Sequence, residues 1–430
     1  GGWYLKFRHG PYWIKGGTDS PEDFLAYAGF EGTPRAAHRF AAHERDWRPG
    51  DPDWGGGKGK GIIGCLNYLA EQHVNSIYFL PMNVGGDGKN VWPFAGRIDP
   101  NGGDPANDNL HYDVGKLRQW EVVFAHAQRR GIFLHVVLNE AEGPNKKELD
   151  DAKLGPERRL FYREMVARFG HHPALEWNLS EEYDHRFKLS PGRMKEFAGY
   201  LYQVDPYNHP IAVHNCNRNL KESLGPFLGD ARFSITSIQH ADVRWVERMR
   251  RLAAEAGRPV PICMDEFPEV DDGDFEALRR THIWPIFLSG GQMEFILPTR
   301  LETDDFRPYE AVWRYTWHAR TFLQDLPFHE MEPADDLLEC TGRGEVFAKA
   351  GAAYALYLPK GGEATLDLAG AKGPFTVRWY DPRRGTFAEA PAKVTGGGKV
   401  RLGPPPRDPS ADWAVLVRQR RPSRAWPSGE

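Results

Sequence analysis

Acidic side chains follow two short apolar stretches of the sequence and could act together in acid–base chemistry. Glu181 and Glu182 come directly after residues 177–180, and Glu266 comes directly after residues 261–265. Hydrolysis of a glycosidic bond needs two carboxyl groups beside that bond, one to protonate the leaving oxygen and one to attack the anomeric carbon or to activate water. The sequence shows no nucleophile elbow built on serine or cysteine. The carboxylates therefore define the chemistry to be expected.

Alternating strand-like and helix-like segments must position these carboxylates. Short apolar runs rich in β-formers predict eight strands, at residues 12–15, 76–81, 133–139, 175–179, 211–214, 234–238, 261–264 and 293–297. Helical patterns lie between them, at residues 114–130, 156–169, 191–204, 243–256 and 274–287. Ser190 followed by Pro191 is a typical helix start, and Gly155-Pro156 is similar.

Eight strands that alternate with helices predict an α/β fold, a (β/α)8 TIM barrel. An open, doubly wound sheet is the alternative, but no Gly-x-Gly-x-x-Gly follows an early strand. After about Pro333 the pattern changes to short strands separated by Gly, Pro and Asp-Pro turns, at residues 345–349, 353–357, 364–366, 375–380, 399–402 and 413–418. We therefore expect a catalytic barrel over residues 1–332, a small antiparallel β-sandwich over 333–418 and a disordered tail over 419–430.

Polar residues at the predicted strand ends are the candidates for substrate binding, because the active site of a TIM barrel lies at the carboxyl ends of its strands. The carboxylates Glu181, Glu182 and Glu266 are the catalytic candidates. The substrate-binding candidates are Lys15, Asp19, Asn83, Asp87, Glu140, Asn178, Glu181, His214, Gln239, His240 and Glu294. A sugar hydroxyl contact and an ordinary polar contact at a strand end are equally good interpretations for several of them.

Several stretches of the sequence resemble a family of bacterial proteins in which a barrel of the retaining glycoside hydrolase clan A precedes a C-terminal domain of the collagen-binding type. In the barrel, the stretches are residues 4–21, 75–88 and 161–182. In the sandwich they are Tyr-Ala-Leu-Tyr-Leu-Pro-Lys-Gly-Gly at 354–362 and Val-Arg-Trp-Tyr-Asp-Pro-Arg-Arg-Gly at 377–385. The resemblance covers most of the chain, and relatives often carry another β-sandwich upstream.

The resemblance implies a role for each catalytic candidate. Glu182 corresponds to the acid/base and Glu266 to the nucleophile, and Glu181 is the alternative acid, with a supporting role otherwise. The chain departs from the family pattern at Ser180, where relatives have glycine, and at His214-Asn215-Cys216, where relatives often have His-Thr-Tyr. In a retaining enzyme the two carboxyl groups lie ~5–5.5 Å apart. The resemblance also implies a secreted or periplasmic protein.

Composition excludes some other classes. The 430 residues contain 55 Lys and Arg against 59 Asp and Glu, a formal net charge of −4, which does not fit a nucleic-acid-binding protein. No apolar run approaches the ~20 residues of a membrane span. The four cysteines form no Cys-x-x-Cys pair, so we expect neither a metal site nor a disulfide framework, and no cofactor. The Asp99, Asp104, Asp108 and Asp113 group does not have calcium-loop spacing and predicts an exposed polar loop.

Two other functions remain open on this sequence. A non-catalytic carbohydrate-binding protein would keep an aromatic cleft and misalign the carboxylates, whereas a polysaccharide lyase would need a Tyr, His or Lys base. The 14 Trp residues favour a carbohydrate partner in either case, since aromatic rings pack on sugar rings, although most are expected in the core. Lys15, Lys89 and Arg218 would permit an anionic glycan.

Overall fold

The computed structural model describes residues 2–33, 36–88, 90–96, 107–267 and 273–419. These residues fall into two compact units. The barrel unit takes those within Gly2–Phe275 and Gly291–Arg314, and the sandwich unit takes those within Glu276–Gly290 and from Tyr315 onward. No helix in the described ranges combines the length and the apolar character that a bilayer crossing requires.

Eight parallel strands form the centre of the barrel unit. They are β1 Gly16–Thr18, β2 Ser76–Phe79, β3 Phe133–Val137, β4 Leu175–Asn178, β5 Ile211–Ala212, β6 Ile238–Gln239, β7 Cys263–Glu266 and β8 Gln292–Phe295. Their order in the sheet is β5-β4-β3-β2-β1-β8-β7-β6. A parallel bridge between His214 and Ser237 joins the two ends of the sheet, β5 to β6. The predicted barrel fold is therefore confirmed.

Helices alternate with these strands, and their starts follow the sequence signals. They are α1 Lys60–Glu71, α2 Val114–Arg129, α3 Gly143–Glu148, α4 Pro156–Phe169, α5 Pro191–Val204, α6 Leu220–Ser223 and α7 Trp245–Glu255. The Ser190 side chain caps α5 by accepting a hydrogen bond from the Arg193 amide at 3.1 Å. Asp113 caps α2 in the same way by accepting a hydrogen bond from the Lys116 amide at 3.0 Å. Asp99 and Asp104 lie outside the described residues.

Two of the predicted barrel strands are misplaced. Strand one was expected at residues 12–15, but β1 is Gly16–Thr18, and the sixth was expected at 234–238, but β6 is Ile238–Gln239. Residues 12–15 pair instead with the preceding segment, through the Lys6–Tyr12 bridge and the hydrogen bond from the Trp13 amide to the Leu5 carbonyl oxygen at 2.9 Å. The glycines of β1 carry no side-chain signal. A Cβ on Gly17 would lie 2.4 Å from the Ser76 carbonyl oxygen, so glycine is needed there for β1 and β2 to approach.

The sandwich unit contains two antiparallel sheets. Its strands are β9 Glu332–Pro333, β10 Leu338–Cys340, β11 Glu345–Lys349, β12 Ala353–Leu358, β13 Ala364–Asp367, β14 Gly373–Asp381, β15 Thr386–Phe387, β16 Ala392–Gly396, β17 Lys399–Arg401 and β18 Trp413–Gln419. One sheet has the order β10-β13-β17, and the other has β15-β14-β18-β12-β11-β9 with β16 beside β14. Leu366 and Leu402 pack with Leu356, Val377 and Trp413 in the core between them.

Further helices complete the chain. Helix α8 Phe275–Leu278 runs through a π-helical turn at Arg279–Ile283 into α9 Trp284–Leu288, and α10 is Glu310–Gln324. Within the sandwich unit, the Trp284 ring stacks on Tyr357 at 5.1 Å between centroids. The Arg279 guanidinium, fully buried, forms two hydrogen bonds with Asp412 at 2.8 and 2.9 Å. Residues 420–430 of the predicted tail lie outside the described residues.

Candidate active site

A buried cluster of charged side chains lies inside the barrel and involves strands β1, β3, β4, β7 and β8. The Lys15 ammonium, with no exposed surface, lies 2.8 Å from Glu176, 3.0 Å from Glu294 and 3.3 Å from Asp265. Burial would lower the pKa of Lys15, but the three carboxylates outweigh it, and the pKa is raised. Lys15 and Glu294 were expected to bind substrate. In the structure they form an ion pair with each other in the barrel interior.

Replacing Lys15 by methionine should destabilise the barrel strongly. The substitution keeps the length of the side chain but leaves three buried carboxylates without their cation, which costs about 3–5 kcal/mol of the free energy of unfolding. Chemical denaturation followed by tryptophan fluorescence would measure it. The control is Lys153→Met, because the Lys153–Asp151 pair is 65% and 70% exposed and should contribute less than about 1 kcal/mol. Equal unfolding midpoints for both variants would contradict the assigned role of Lys15.

His135 connects this cluster to the end of β4. Its Nδ1 lies 2.6 Å from Glu294, and its Nε2 lies 3.0 Å from the side-chain nitrogen of Asn178, a candidate substrate ligand. Burial lowers the pKa of His135 to about 4, so the imidazole is neutral near pH 7. A neutral ring that donates from Nδ1 to Glu294 can accept from the Asn178 amide at Nε2, which fixes the orientation of that amide.

Glu266, at the end of β7, is held in its ionised form by its neighbours. Its Oε2 lies 3.2 Å from His214 Nε2, and the other ring nitrogen of His214 lies 3.0 Å from the Ser237 hydroxyl. Burial alone would raise the pKa of Glu266. The hydrogen bond to His214, the positive charge of His214 and a hydrogen bond to Gln239 outweigh burial, so the pKa of Glu266 is lowered. The side chain remains 18% exposed. Glu266 is therefore a carboxylate that a ligand can reach.

Glu181 has the opposite electrostatic environment. It is 5% exposed, and burial followed by the charges of Glu22, Glu140 and Glu266 raises its pKa well above the usual value. Its carboxyl group shares a hydrogen bond with Glu22, whose pKa is also raised, first by burial. Asp19 joins the same cluster with a raised pKa, and its two carboxylate oxygens accept no hydrogen bond from the described residues. Neutral carboxylic acids therefore lie close to an ionised one.

Glu182 follows in the loop and has different partners. Its backbone adopts a left-handed conformation with φ of 34°, and its carbonyl oxygen accepts a hydrogen bond from Lys146 Nζ at 2.8 Å. Its carboxylate is 16% exposed and lies 3.4 Å from His185 Nδ1. Burial is the largest effect on the pKa of His214 and lowers it. The hydrogen bond to Glu266 and its charge, followed by the charge of Glu182, act in the opposite direction, and the pKa of His214 is raised. Both glutamates are thus electrostatically coupled to the Glu266–His214 pair.

Glu140, Asn83 and His240 are also among the candidates from the sequence. Glu140 is buried, accepts hydrogen bonds from the backbone amides of Asp87 and Glu142, and has its pKa raised to about 10 by burial and by Glu142. Asn83 is fully buried. The backbone amide of His240 donates to the Glu266 carbonyl oxygen at 3.0 Å, and its ring accepts from the Asp242 amide at 2.8 Å.

Sequence reasoning missed His135 and Glu176. Both lie within strands rather than after them, so a search of strand ends does not find them. Their signal is a charged or polar residue inside an apolar run, as in Phe133–Val137 and Leu175–Asn178. The aromatic residues expected on sugars are mostly in the core: Trp92, Trp120 and Trp177 are fully buried. Trp245 is partly exposed, and its ring lies 5.7 Å from that of His240.

Comparisons with known proteins bear on both parts of the chain. Residues 339–418 match the family model described as "Putative collagen-binding domain of a collagenase". This match covers the sandwich strands from the end of β10 to β18 and agrees with the resemblance seen in the sequence. No curated protein matches the sequence.

Solved structures resemble the fold over almost the whole chain. A glycoside hydrolase family 5 structure from Bacteroides vulgatus ATCC 8482 matches with a TM-score of 0.68 at 13% identity, covering 97% of this chain and 92% of its own. A second structure, described as a glycoside hydrolase, matches with a TM-score of 0.68 at 11% identity, covering 97% of this chain and 95% of its own. At such identities the likeness shows the fold alone.

Proposed function

We propose that the chain is a glycoside hydrolase that cleaves a poly- or oligosaccharide with retention of anomeric configuration. The observation that carries the proposal is the pair of opposite electrostatic environments at the ends of β4 and β7. The pKa of Glu266 is lowered and that of Glu181 is raised. Two carboxyl groups whose surroundings separate their pKa values in this way are suited to act as nucleophile and acid at one pH.

Glu266 is the proposed nucleophile. Its carboxylate is ionised and partly exposed, and His214 and Gln239 orient it through hydrogen bonds. It attacks the anomeric carbon, the bond to the leaving oxygen breaks, and a covalent glycosyl-enzyme forms. Water then attacks the same carbon and releases the Glu266 carboxylate, so that two inversions give net retention.

The proposed acid/base lies at the end of β4, where the sequence favoured Glu182 and left Glu181 as the alternative. The surroundings of the two side chains support Glu181. A general acid must hold a proton at the working pH, and the pKa of Glu181 is raised by its burial and its acidic neighbours. Glu181 protonates the leaving oxygen in the first step and removes a proton from the attacking water in the second.

The charges around Glu266 and Glu181 also bear on the substrate. Glu266 is ionised, and the pKa values of Asp19, Glu22 and Glu181 beside it are raised, so further negative charge is disfavoured there. Lys15 is neutralised in the interior, Arg218 is exposed, and Lys89 lies outside the described residues. This charge favours a neutral glycan over the anionic glycan considered from the sequence. A secreted or periplasmic location suits such a substrate and belongs to the same proposal.

Hydrolysis of a panel of plant and marine polysaccharides and oligosaccharides tests the proposal. We expect reducing ends to appear with at least one neutral glycan, and proton NMR of the first product to show the anomer of the substrate. An inverted first product would overturn the retaining mechanism while keeping the hydrolase. Unsaturated products that absorb in the ultraviolet would indicate a lyase, and binding without cleavage across the panel would indicate a binding protein.

A further inference from the structure

Three side chains of types that bind zinc converge beside the proposed catalytic groups. They are Glu182 and His185, in the loop after β4, and Cys216, in the loop after β5. One ligand atom from each lies within 4.8 Å of the other two. Thiolate, imidazole and carboxylate are the three ligand classes found at zinc sites, and three protein ligands with one open position are typical of sites that exchange a fourth ligand.

Two of the three distances within this trio are close to those between the ligands of one tetrahedral ion. His185 Nδ1 lies 3.1 Å from Cys216 Sγ and 3.4 Å from Glu182 Oε2. Bond lengths of about 2.3 Å to sulfur, 2.05 Å to nitrogen and 2.0 Å to oxygen at tetrahedral angles put such ligand atoms roughly 3.3–3.6 Å apart. The two distances from His185 are therefore within about 0.5 Å of the values for a tetrahedral ion, and the Glu182 and Cys216 ligand atoms lie within 4.8 Å of each other.

The backbone around the trio is fixed by contacts that do not use the ligand atoms. Lys146 Nζ donates to the carbonyl oxygens of Glu182 and His185, at 2.8 and 3.2 Å. The Asp184 carboxylate accepts a hydrogen bond from the Cys216 amide at 2.7 Å and joins the two loops. These contacts hold the backbone that carries the three ligands in place before any ion binds, so less conformational entropy is lost on binding.

The group of metal-ligand side chains around Lys15 is less suitable. In the barrel interior, His135 and the carboxylates of Glu176, Asp265 and Glu294 already surround the Lys15 ammonium, which supplies the positive charge. Among the residues that the structure describes, no lysine or arginine is hydrogen-bonded to the Glu182 carboxylate, and each member of the trio is partly exposed, so an ion can reach it.

We propose that Glu182, His185 and Cys216 form a binding site for a divalent transition-metal ion, with zinc as the preferred metal. Binding replaces the thiol proton of Cys216, which passes to solvent, and leaves the fourth position to water. The sequence alone predicted no metal site, because the ligands come from two loops and lack the Cys-x-x-Cys spacing. The site is independent of whether the chain hydrolyses glycans.

Titration of the chelator-treated full chain with Co²⁺ tests this site, because a cobalt–thiolate bond gives a charge-transfer band in the near ultraviolet. We expect one equivalent of Co²⁺ to produce the band and one equivalent of Zn²⁺ to remove it. Cys216→Ser should abolish the band and weaken Zn²⁺ binding, measured by calorimetry, by more than about 100-fold, the upper end of the effect of losing even an outer partner of a site.

Cys340→Ser is the matched control, since Cys340 is the other partly exposed cysteine, and this variant should keep the band. His185→Gln removes the second ligand without touching a cysteine and should also lose the band. A cooperative thermal unfolding transition for each variant would show that the variant is folded. A band that survives Cys216→Ser in folded protein, or the absence of any cobalt–thiolate band in the wild type, overturns the proposal.

Discussion

Replacing Glu266 by glutamine should reduce glycan hydrolysis by roughly 10⁴-fold or more, since it removes the group proposed to form the covalent intermediate. Glutamine keeps the shape and can still contact Gln239, so binding of the glycan should change much less than kcat. The comparison needs a substrate identified on the glycan panel, with initial rates and with affinity from calorimetry. A fall in kcat at nearly constant affinity would separate a catalytic role from a structural one.

The matched control for this variant is Glu302→Gln. Glu302 lies in a short helical turn after β8, and its side chain is exposed, so its loss should leave the rate within a factor of about two. Azide offers a further check with Glu266→Gly, because the anion can take the place of the missing carboxylate. A glycosyl azide of inverted configuration would support a nucleophilic role, and full activity of Glu266→Gln would refute it.

Glutamine at position 181 should have the second-largest effect. Loss of the general acid should lower the rate on natural glycans by about 10²–10⁴-fold and should spare aryl glycosides, whose leaving groups need little protonation. Glu182→Gln, the matched variant one residue away, should change the rate by less than about tenfold. Rates on a natural glycan and on an aryl glycoside, measured for both variants, decide between the two carboxyl groups, and the reverse order would return the acid role to Glu182.

The pH profile carries the same distinction. The wild-type rate should fall at low pH as Glu266 becomes protonated, and at high pH as Glu181 loses its proton. Because the pKa of Glu266 is lowered and that of Glu181 is raised, the plateau between these limbs should be wide. Glu181→Gln should lose the alkaline limb and keep the acid limb, whereas an unchanged alkaline limb would show that another group is the acid.

Much of the fold could be predicted because local signals and tertiary contacts agree. Helices α4 and α5 match their predicted bounds, since proline follows a capping-type residue at each start. Strand β16 was missed because Ala392–Gly396 is largely exposed and contains only one large apolar residue, Val394. The position of β1 was wrong because glycine contributes no pattern, and its pairing depends on the neighbouring Ser76 backbone.

The candidate site could be predicted only in part. Strand ends gave Glu181, Glu182 and Glu266, because the carboxyl ends of parallel strands meet at one edge of a barrel. The sequence position of Lys15 did not reveal that it pairs with carboxylates in the interior, since the nearest of these partners along the chain, Glu176, is 161 residues away. The choice between Glu181 and Glu182 depends on burial and neighbouring charges, which adjacent residues in a loop do not reveal in sequence.

The closure between β5 and β6 has a consequence for the evolution of the chain. These strands have two residues each, and side chains supply much of their connection: His214 contacts Ser237, and the Asn215 amide bonds both backbone groups of Gln239. Substitutions that raise the thermal stability of an enzyme often lower its turnover, because they remove strain or flexibility that catalysis uses. Here His214 contacts Ser237 across the β5–β6 closure and also contacts Glu266. Selection for thermal stability and selection for turnover should therefore both retain histidine at position 214.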